Sequence, residues 1–400
     1  MNTPKIRFKG FTDDWEQRKF GDIASSFEYG LNVAAKEYDG ENKYIRITDI
    51  DDNTHEFLTD SLTSPDIDLT GADNYKLIEG DILFARTGAS VGKSYIYRNS
   101  DGLVYYAGFL IRARIKEECD AEFVFQNTLT DRYNKYIAVT SQRSGQPGVN
   151  AQEYAEFEIK VPKKEEQTKI GTYFRNLDHL ITLHQRKCDE TKQLKKFMLQ
   201  KMFPKNGEKN PEIRFEGFTD DWEQRKLGDV FKEYSEKHHE ELPALTIVQG
   251  GGTIFREESD RSLQYDKSNL SGYKMVKKDD FIVHLRSFEG GLEKANSDGI
   301  ISPAYHTMHG DNVDSRFYYP YFRSYDFINR KLVAHVYGIR DGRSIDIDGM
   351  KSIEIPYTSY EEQKTIGDYL DSLDHLITLH QRKCEKLKEL KKFMLQNMFV

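Results

Sequence analysis

The sequence predicts an α+β protein in which two pseudo-symmetric mixed α/β domains are separated by two long antiparallel coiled-coil helices. Three observations predict this fold. The segment DHLITLHQRKC occurs at residues 178–188 and again at residues 374–384. A second duplicated block, IRFKGFTDDWEQRK or IRFEGFTDDWEQRK, precedes these copies at residues 6–19 and 213–226. The segments between the duplicated blocks have diverged almost completely, so one frame is written twice and holds two different inserts.

The long repeated segments are predicted to be helices, and residues 166–203 match residues 362–399 at 27 of 38 positions. Apolar or small side chains recur there with alternating spacings of four and three, which is the pattern of a coiled-coil seam. At 1.5 Å per residue, each helix would be roughly 57 Å long. The nearest partner for each seam is the other copy, returning antiparallel. The predicted seam residues are Ile170, Phe174, Leu177, Ile181, His184 and Cys188, with Ile366, Leu370, Leu373, Ile377, His380 and Cys384.

The repeats also predict where the domains begin and end. The block at residues 6–19 is expected beside the end of the second long helix, because residues 211–226 follow the end of the first. This arrangement would be circularly pseudo-symmetric, around an approximate two-fold axis. The predicted boundaries are 1–162 for the first domain, 163–203 for the first helix, 204–211 for a linker, 212–357 for the second domain and 358–400 for the second helix.

Both inserts are predicted to mix strands and helices. In the first, KYIRITDI, DILFARTG, KSYIYR and YYAGFLIRARI have the composition of strands, and residues 123–137 that of a helix. In the second, DDFIVHLRS and SIEIPY are the corresponding strands, and residues 317–336 the helix. Asp13 and Asp220 precede Glu16 and Glu223 at capping-box spacing, which predicts helix starts there.

Composition and charge exclude several classes of protein. Apolar residues make up 38% of the chain, with 24 Phe and 24 Tyr, which is enough for real cores. No apolar run is long enough to predict a membrane span, and three cysteines do not make a disulfide framework, so we expect a cytoplasmic protein. The net charge of −8 leaves an ordinary acidic protein possible, but residues 166–205 carry nine basic and four acidic groups. A nucleic-acid surface needs only such local basic groups.

The glycine-rich segment GASVGKS at residues 88–94 is the nearest match to an enzyme motif. A phosphate-binding P-loop has four residues between its glycines and opens a helix, whereas here three intervene and strand-like residues follow. We therefore predict a tight turn between two strands, with Arg86, Thr87, Ser90 and Lys93 at its tip. These side chains would contact phosphates or base edges, and the alternative is a solvated hairpin.

The second insert has a corresponding turn, HLRSFEGGLEK, which carries Arg286, Ser287 and Lys294. Both inserts also have a loop rich in Gly and Arg just before their last strand. Because Arg can bind guanine, and Asn or Gln can bind adenine, through two hydrogen bonds, these loops are candidates for DNA contacts. The alternative for each residue is a loop side chain that faces water. The candidates in these loops are Arg143, Gln146, Asn150, Arg340 and Arg343.

The sequence contains no catalytic or metal-binding signature that we recognise. CxxC and HExxH are absent, and no Ser–His–Asp order has a supporting motif. We therefore predict no catalytic residue, no metal site and no cofactor in this chain.

The duplicated helices, the divergent inserts and the motif EEQxxIG at residues 165–171 and 361–367 together resemble the specificity (S) subunit of type I restriction-modification enzymes. The resemblance covers essentially the whole chain. It implies that the inserts are target recognition domains, which read the two halves of a bipartite, asymmetric double-stranded DNA target. It also implies two methyltransferase (M) subunits that use S-adenosylmethionine to methylate adenine N6, and restriction/translocase (R) subunits that use ATP and Mg²⁺. The chain itself would be a non-catalytic recognition subunit, with no membrane contact.

Two other functions remain open from the residues alone. The chain could be a structural adaptor whose coiled coil joins two protein-binding domains. It could also hydrolyse a nucleotide through residues 88–94. Salt-dependent binding to duplex DNA separates the first of these from a DNA-recognition subunit.

Overall fold

The computed structural model describes residues 3–143, 145–205, 207–259, 267–338 and 343–400. Its contacts divide the chain into two compact units. The first unit contains Met1–Arg186 and His380–Val400, and the second contains Lys187–Leu379. Each unit therefore consists of one insert domain and part of each long helix. Among the described residues, no helix is long and apolar enough to cross a membrane.

The first half of the chain contains short strands and helices followed by one long helix. These elements are β1 (Glu16–Lys19), α1 (Phe20–Ile23), β2 (Ala24–Tyr29), β3 (Ala35–Glu37), β4 (Lys43–Ile45), β5 (Thr63–Pro65), β6 (Ile82–Ala85), β7 (Ser94–Ile96), β8 (Val104–Tyr106), β9 (Leu110–Ile115), α2 (Ala121–Asn127), α3 (Asp131–Thr140), α4 (Ala151–Ala155), β10 (Glu158–Val161) and α5 (Lys164–Lys201). Short 3-10 turns lie at Ile47–Asp49, Asp73–Tyr75 and Asn99–Asp101.

The second half follows the same plan. Its elements are β11 (Glu223–Lys226), α6 (Leu227–Val230), β12 (Lys232–Tyr234), β13 (Leu245–Val248), β14 (Gly252–Phe255), β15 (Lys274–Val276), β16 (Phe281–Val283), α7 (Ser287–Gly290), β17 (Glu293–Lys294), β18 (Gly299–Ile301), β19 (His306–His309), α8 (Ser315–Phe322), β20 (Val336–Tyr337), β21 (Ser344–Ile345), α9 (Ile347–Lys351), β22 (Glu354–Tyr357) and α10 (Tyr360–Met398). Shorter turns lie at Arg256–Glu258, Lys267–Gly272, Phe327–Lys331 and Leu332–His335.

Each unit is built on a four-stranded antiparallel sheet, in the order β2-β9-β6-β7 in the first unit and β12-β19-β16-β17 in the second. In each unit, the strand before the domain pairs with the strand that leads into the long helix, as β1 with β10 and β11 with β22. A parallel pair, β4 with β8, occurs in the first unit, whereas β15 and β18 pair antiparallel in the second. The frame is thus shared, and the inserts differ in detail.

The core of each domain is aromatic and continues onto the long helices. In the first unit, Trp15 packs edge-on against Phe123 at a centroid distance of 5.7 Å, and Phe123 stacks on Phe399 at 5.4 Å. In the second unit, Trp222 and Phe317 repeat the first contact at 5.6 Å. Phe203, the repeat equivalent of Phe399, packs on Phe317 at 4.9 Å. Equivalent aromatic contacts therefore attach each domain to the long helices.

The long helices are α5 with 38 residues and α10 with 39, and both lie within two residues of the predicted bounds. In the first unit, Lys391 binds Asp178 at 2.6 Å, and the Nδ1 atoms of His184 and His380 are 2.9 Å apart. In the second unit, Lys195 binds Asp374 at 2.5 Å. Because residue numbers rise along one helix as they fall along the other, the packed segments are antiparallel.

All twelve predicted seam residues are buried or half-buried. The positions near the helix starts have a further role, because Ile170 and Phe174 belong to the core of the first domain, and Ile366 and Leu370 to that of the second. The seam pattern at these positions therefore reflects packing against a globular domain as well as against the other helix.

The motif EEQxxIG has a structural explanation in both copies. The backbone N–H of Asp120, which caps α2, donates to Gln167 Oε1 at 2.9 Å, and Gln167 Nε2 donates to the Pro162 carbonyl at 2.8 Å. Gln363 makes the same two bonds in the second unit, with the Asp314 N–H and the Thr358 carbonyl, at 3.0 and 2.7 Å. The motif thus ties the start of each long helix to its domain.

The predicted position of each duplicated block beside the end of a long helix is confirmed by two backbone hydrogen bonds. Ile213 N–H donates to the Lys201 carbonyl at the end of α5, at 3.0 Å. Ile6 N–H donates to the Asn397 carbonyl at the end of α10, at 2.9 Å. Each duplicated block is therefore attached to the end of a long helix. Ile213 and Lys201 are close in sequence, whereas Ile6 and Asn397 lie near opposite ends of the sequence.

The structure contradicts the predicted helix starts, and it divides the helices predicted at residues 123–137 and 317–336 into shorter elements. The helix starts predicted at Asp13 and Asp220 are absent, because Glu16–Lys19 and Glu223–Lys226 are strands paired with β10 and β22. The P-loop alternative fails because residues 88–94 connect β6 to β7 and open no helix. Positive φ angles of 80° at Gly88 and 87° at Gly92 form the predicted tight turn instead.

Candidate nucleic-acid interface

In the first unit, three strands of the main sheet bring three side chains together at one end, of which two are exposed and one is half-buried. Tyr29 is the last residue of β2, Arg86 follows β6 and Phe109 precedes β9. The antiparallel register brings these points together, since Tyr29 pairs with Ile111 and Ala85 pairs with Leu110. We call Tyr29, Arg86, Thr87, Phe109 and Gln146 the first sheet-end surface.

Arg86 is the centre of this surface. Its guanidinium carbon lies 5.1 Å from the ring centre of Tyr29 and 5.9 Å from that of Phe109. Within the described part of the chain, the guanidinium makes no hydrogen bond and no ion pair. The two rings thus hold the group in place and leave its N–H donors available for a planar acceptor.

The two predicted contact loops of the first domain meet at this surface. Thr87 forms a β-bridge with Gly148, and Val149 N–H donates to the Arg86 carbonyl at 2.9 Å. A β-carbon at Gly88 would lie 3.1 Å from the Gln146 side-chain nitrogen, so the amide lies directly over the turn. Residues 86–92 and 146–149 therefore form one continuous surface.

Other predicted contact residues of this domain are used inside it. Lys93 binds Asp52 at 2.5 Å and the Ile50 carbonyl at 3.0 Å. Arg143 binds Glu153, and Asn150 caps α4 by accepting from Glu153 N–H at 2.9 Å. Their polar groups hold the loops in position. Ser90 remains half-exposed on the turn.

The second unit has an equivalent surface at the same end of its sheet. Leu285 and Arg286 follow β16 and are exposed, and helix α7 comes next. The Arg343 guanidinium carbon lies 5.2 Å from the ring centre of Phe288 in α7. We call Leu285, Arg286, Phe288, Tyr337 and Arg343 the second sheet-end surface. It too combines an arginine stacked on a ring with the turn that follows a central strand.

The remaining candidates of the second domain have other positions. Ser287 is buried and its hydroxyl accepts from His284 N–H at 2.9 Å, while Lys294 binds Asp279 at 3.0 Å. Arg340 lies outside the described residues. Burial lowers the pKa of His284, so this imidazole is neutral at neutral pH and adds no positive charge beside Arg286.

Metal chemistry has no structural support in the described residues, which contain no group of three or more His, Cys, Asp or Glu side chains placed to hold an ion. A cleft of about 1180 Å³ in the first unit runs from the turn at Ser90 to lysines 388, 391 and 392 of α10. Lys391 is paired with Asp178 there. The cleft reaches Ala89 and Ser90 on the turn that follows Arg86, and its lining contains both acidic and basic side chains.

A family model described as the type I restriction modification DNA specificity domain matches the chain twice, at residues 12–193 and 219–389. The chain belongs to this family. It is a type I specificity subunit, and its function is recognition of a DNA target.

Individual relatives of this specificity subunit agree with the family match. It is 24% identical to the Methanocaldococcus jannaschii type I restriction enzyme MjaVIII specificity subunit, over 95% of this chain and 91% of that protein. Identity is also 24% to the M. jannaschii protein provisionally named type I restriction enzyme MjaX specificity subunit, over 98% and 94%. The crystal structure of the S subunit from M. genitalium shares the fold, with a TM-score of 0.64, 13% identity and coverage of 100% and 99%.

Sequence reasoning missed the aromatic members of both surfaces in this specificity subunit. Tyr29, Phe109, Phe288 and Tyr337 were not among the candidates. A signal existed for Phe109, because Gly108 interrupts YYAGFLIRARI, which was predicted as one strand, and the structure has a turn there between β8 and β9. A large apolar side chain in a turn has no place in the core and is therefore a candidate contact residue.

Proposed function

We propose that this specificity subunit reads a bipartite, asymmetric double-stranded DNA target, with one half-site bound by each domain, and that it is not itself an enzyme. One observation carries the proposal. In each unit, an arginine stacked on an aromatic ring stands where the turn after a central strand meets the loop before the last strand. Because the ring already restricts the guanidinium, less side-chain conformational entropy is lost when it binds guanine O6 and N7.

The asymmetry of the target follows from the difference between the two surfaces. The frame places both surfaces at the same end of equivalent sheets, but the first presents Tyr29 and Phe109 and the second presents Leu285 and Tyr337. Different side chains at equivalent positions select different bases. We expect the length of the long helices, roughly 57 Å, to set the number of unspecified base pairs between the half-sites, since one turn of B-DNA is about 34 Å.

The test uses the specificity subunit assembled with its methyltransferase partner and duplexes that carry the methylated target. Arg86→Ala should relax the preference at one base pair of one half-site by about 1–3 kcal/mol, and Arg343→Ala should do so in the other half-site. Arg225→Ala is the matched control, because Arg225 also stacks on a ring, that of Tyr357 at 3.6 Å, but lies on β11. If Arg86→Ala weakens both half-sites equally, the assignment of one domain to each half is wrong.

Binding measured against salt concentration tests the DNA-binding role itself. Contacts with several phosphates make the affinity fall steeply as salt rises, because bound counterions are released. An affinity that does not change with salt, or no binding at all, favours the alternative of a structural adaptor that joins two protein-binding domains.

We further propose that the long helices dock two methyltransferase subunits. Apolar side chains outside the seam are exposed at equivalent positions of both helices, in similar fractions. They are Leu180 and Leu376 at 39% and 41%, Leu194 and Leu390 at 43% and 40%, and Phe197 and Phe393 at 47% and 52%. An exposed apolar face that is repeated residue for residue fits one partner bound twice.

Changes at single helices test this docking. Phe197→Asp should lower the number of bound methyltransferase subunits from two to one, and Phe197→Asp with Phe393→Asp should lower it to zero, as measured by native mass spectrometry. Val139→Asp is the control, since Val139 is 71% exposed but lies on α3. Two bound subunits in the double variant would contradict the proposal. In the same assembly, S-adenosylmethionine would belong to the methyltransferase subunits, and ATP and Mg²⁺ to the restriction/translocase subunits.

A further inference from the structure

Phe109 is an exposed aromatic ring on a rigid turn, and it lies outside the buried core clusters of the described residues in its domain. The ring is 59% exposed. Its backbone is nevertheless fixed on both sides, since Gly108 N–H donates to the Leu31 carbonyl at 2.6 Å and the Phe109 carbonyl accepts from Arg86 N–H at 3.1 Å. Because the ring is exposed on a fixed turn beside Tyr29 and the Arg86 guanidinium, it is positioned to contact another molecule together with them.

The turn is held closely enough to fix the position of the ring. A β-carbon at Gly30 would lie 2.3 Å from the Ala107 carbonyl oxygen, so the chain at the end of β2 can approach residues 106–108 only because residue 30 is glycine. Ala107 N–H donates to the Ile45 carbonyl at 3.0 Å and attaches the turn to β4 as well. A side chain on a turn with three backbone attachments can distinguish small differences in its partner.

The neighbour of this ring is Arg86, whose guanidinium carbon is 5.9 Å from the ring centre. Base pairs are stacked about 3.4 Å apart, so two side chains at this separation reach the same base pair or adjacent ones. In the major groove, a guanidinium binds guanine and an apolar side chain contacts the 5-methyl group of thymine. We propose that Phe109 contacts the methyl group of a thymine adjacent to the guanine bound by Arg86.

This inference rests on the proposed function and adds a base-specific contact to it. Insertion of Phe109 between base pairs is a different mode, and the geometry does not favour it. A wedge needs both faces of its ring between the bases, whereas Arg86 lies against one face of Phe109. The edge and the other face remain for a methyl group.

The experiment removes the methyl group alone. Duplexes that carry the methylated target are made with 2′-deoxyuridine in place of one thymidine at a time, and their dissociation constants for the assembled subunit and methyltransferase are measured. At one thymine beside a guanine, in the half-site that responds to Arg86→Ala, binding should weaken about fourfold, as expected for one buried methyl group.

Two variants complete the test. Phe109→Ala should bind the thymine and uracil duplexes equally, and Phe109→Leu should keep the preference for thymine. Ile78→Ala is the matched control, because Ile78 is 50% exposed in the same domain but lies at the opposite end of β6. It should discriminate between the duplexes as the unaltered chain does.

The outcomes separate this inference from the function on which it rests. If the unaltered assembly binds its target in a salt-dependent way but no uracil substitution weakens binding, or if Phe109→Ala keeps the fourfold difference, the thymine contact is wrong and DNA recognition stands. If that half-site contains no thymine beside a guanine, the thymine contact is likewise wrong and DNA recognition stands. If the assembly binds no DNA, both proposals fail.

Discussion

The Arg7 guanidinium binds the Glu166 carboxylate through two hydrogen bonds, at 2.6 and 2.8 Å. Glu166 is 1% exposed, so this pair ties the first duplicated block to the start of α5 through a buried charge. Arg214 and Glu362 repeat the pair at 2.7 and 2.9 Å. Glu362 has two more donors, Trp222 Nε1 at 3.0 Å and the Thr358 hydroxyl.

Replacing either glutamate should therefore destabilise its unit, and Glu362→Ala should cost more than Glu166→Ala. Leaving one member of a buried ion pair without its partner lowers the free energy of unfolding by about 3–5 kcal/mol. Loss of Glu362 also leaves a buried indole N–H without an acceptor. Urea unfolding followed by tryptophan fluorescence measures this, because each unit contains one tryptophan, Trp15 or Trp222. Lys19→Ala, which breaks an exposed pair with Glu156, is the control and should leave the unfolding midpoint almost unchanged.

The two glycines of the EEQxxIG motifs should respond differently to alanine. At Gly171 a β-carbon would lie 2.5 Å from Asp120 Oδ1 and 2.9 Å from Phe123 N, whereas at Gly367 the nearest atom, Asp314 Oδ1, would be 3.1 Å away. Alanine gains about 1 kcal/mol of helix propensity at both positions. We expect Gly171→Ala to destabilise the first unit by about 1–3 kcal/mol and Gly367→Ala to be nearly neutral. Equal effects in thermal unfolding would contradict this account.

The equivalent lysines of the long helices, Lys391 and Lys195, should also differ in how much they contribute to stability. Lys391 binds Asp178 where the two side chains are 15% and 16% exposed, while Lys195 binds Asp374 where the aspartate is 53% exposed. Lys391→Met leaves a half-buried carboxylate without its cation and should cost about 1–3 kcal/mol. Lys195→Met should cost under about 1 kcal/mol, because water solvates Asp374. Denaturation midpoints of the two variants give the comparison, and a larger loss for Lys195→Met would be inconsistent with it.

Acid should weaken the first unit through His55. Burial lowers the pKa of this imidazole, although its Nδ1–H donates to the Ser94 carbonyl at 2.8 Å. The unfolded chain therefore binds a proton more readily than the folded one below about pH 6.5, so stability that is present at neutral pH is lost as the pH falls further. His55→Asn removes this dependence and suits the left-handed backbone there, with φ of 59°.

The check on His55 is the free energy of unfolding of both proteins between pH 7.5 and 5. The unaltered chain should lose more stability than His55→Asn over this interval. Parallel curves would show that His55 is not the group responsible.

Repetition and periodicity made most of the fold predictable. The repeat and its heptad spacing predicted the long helix within two residues of its ends, and the apolar run in DILFARTG predicted β6 and its turn. The helix start expected at Asp13 failed because a local capping pattern cannot report that residues 16–19 pair with β10, more than 140 residues away. Tertiary pairing overrode the local signal.

The interface was predictable only in outline. Glycine turns and arginine-rich loops pointed to two segments of the first domain, and the structure brings these segments together through the bridge between Thr87 and Gly148. The sequence could not show which side chains remain available to contact DNA. Lys93 and Arg143 form ion pairs with Asp52 and Glu153, and these pairs form only in the folded chain.

The backbone hydrogen bond from Ile6 to Asn397 has a consequence for engineering. It is the counterpart of the bond from Ile213 to Lys201, in which the two partners are joined by a short peptide. A duplicated block can thus be attached to the end of a long helix whether or not the two are adjacent in sequence. A gene permuted to begin near residue 208, with the present termini fused through a peptide of similar length, should encode a polypeptide with the same specificity.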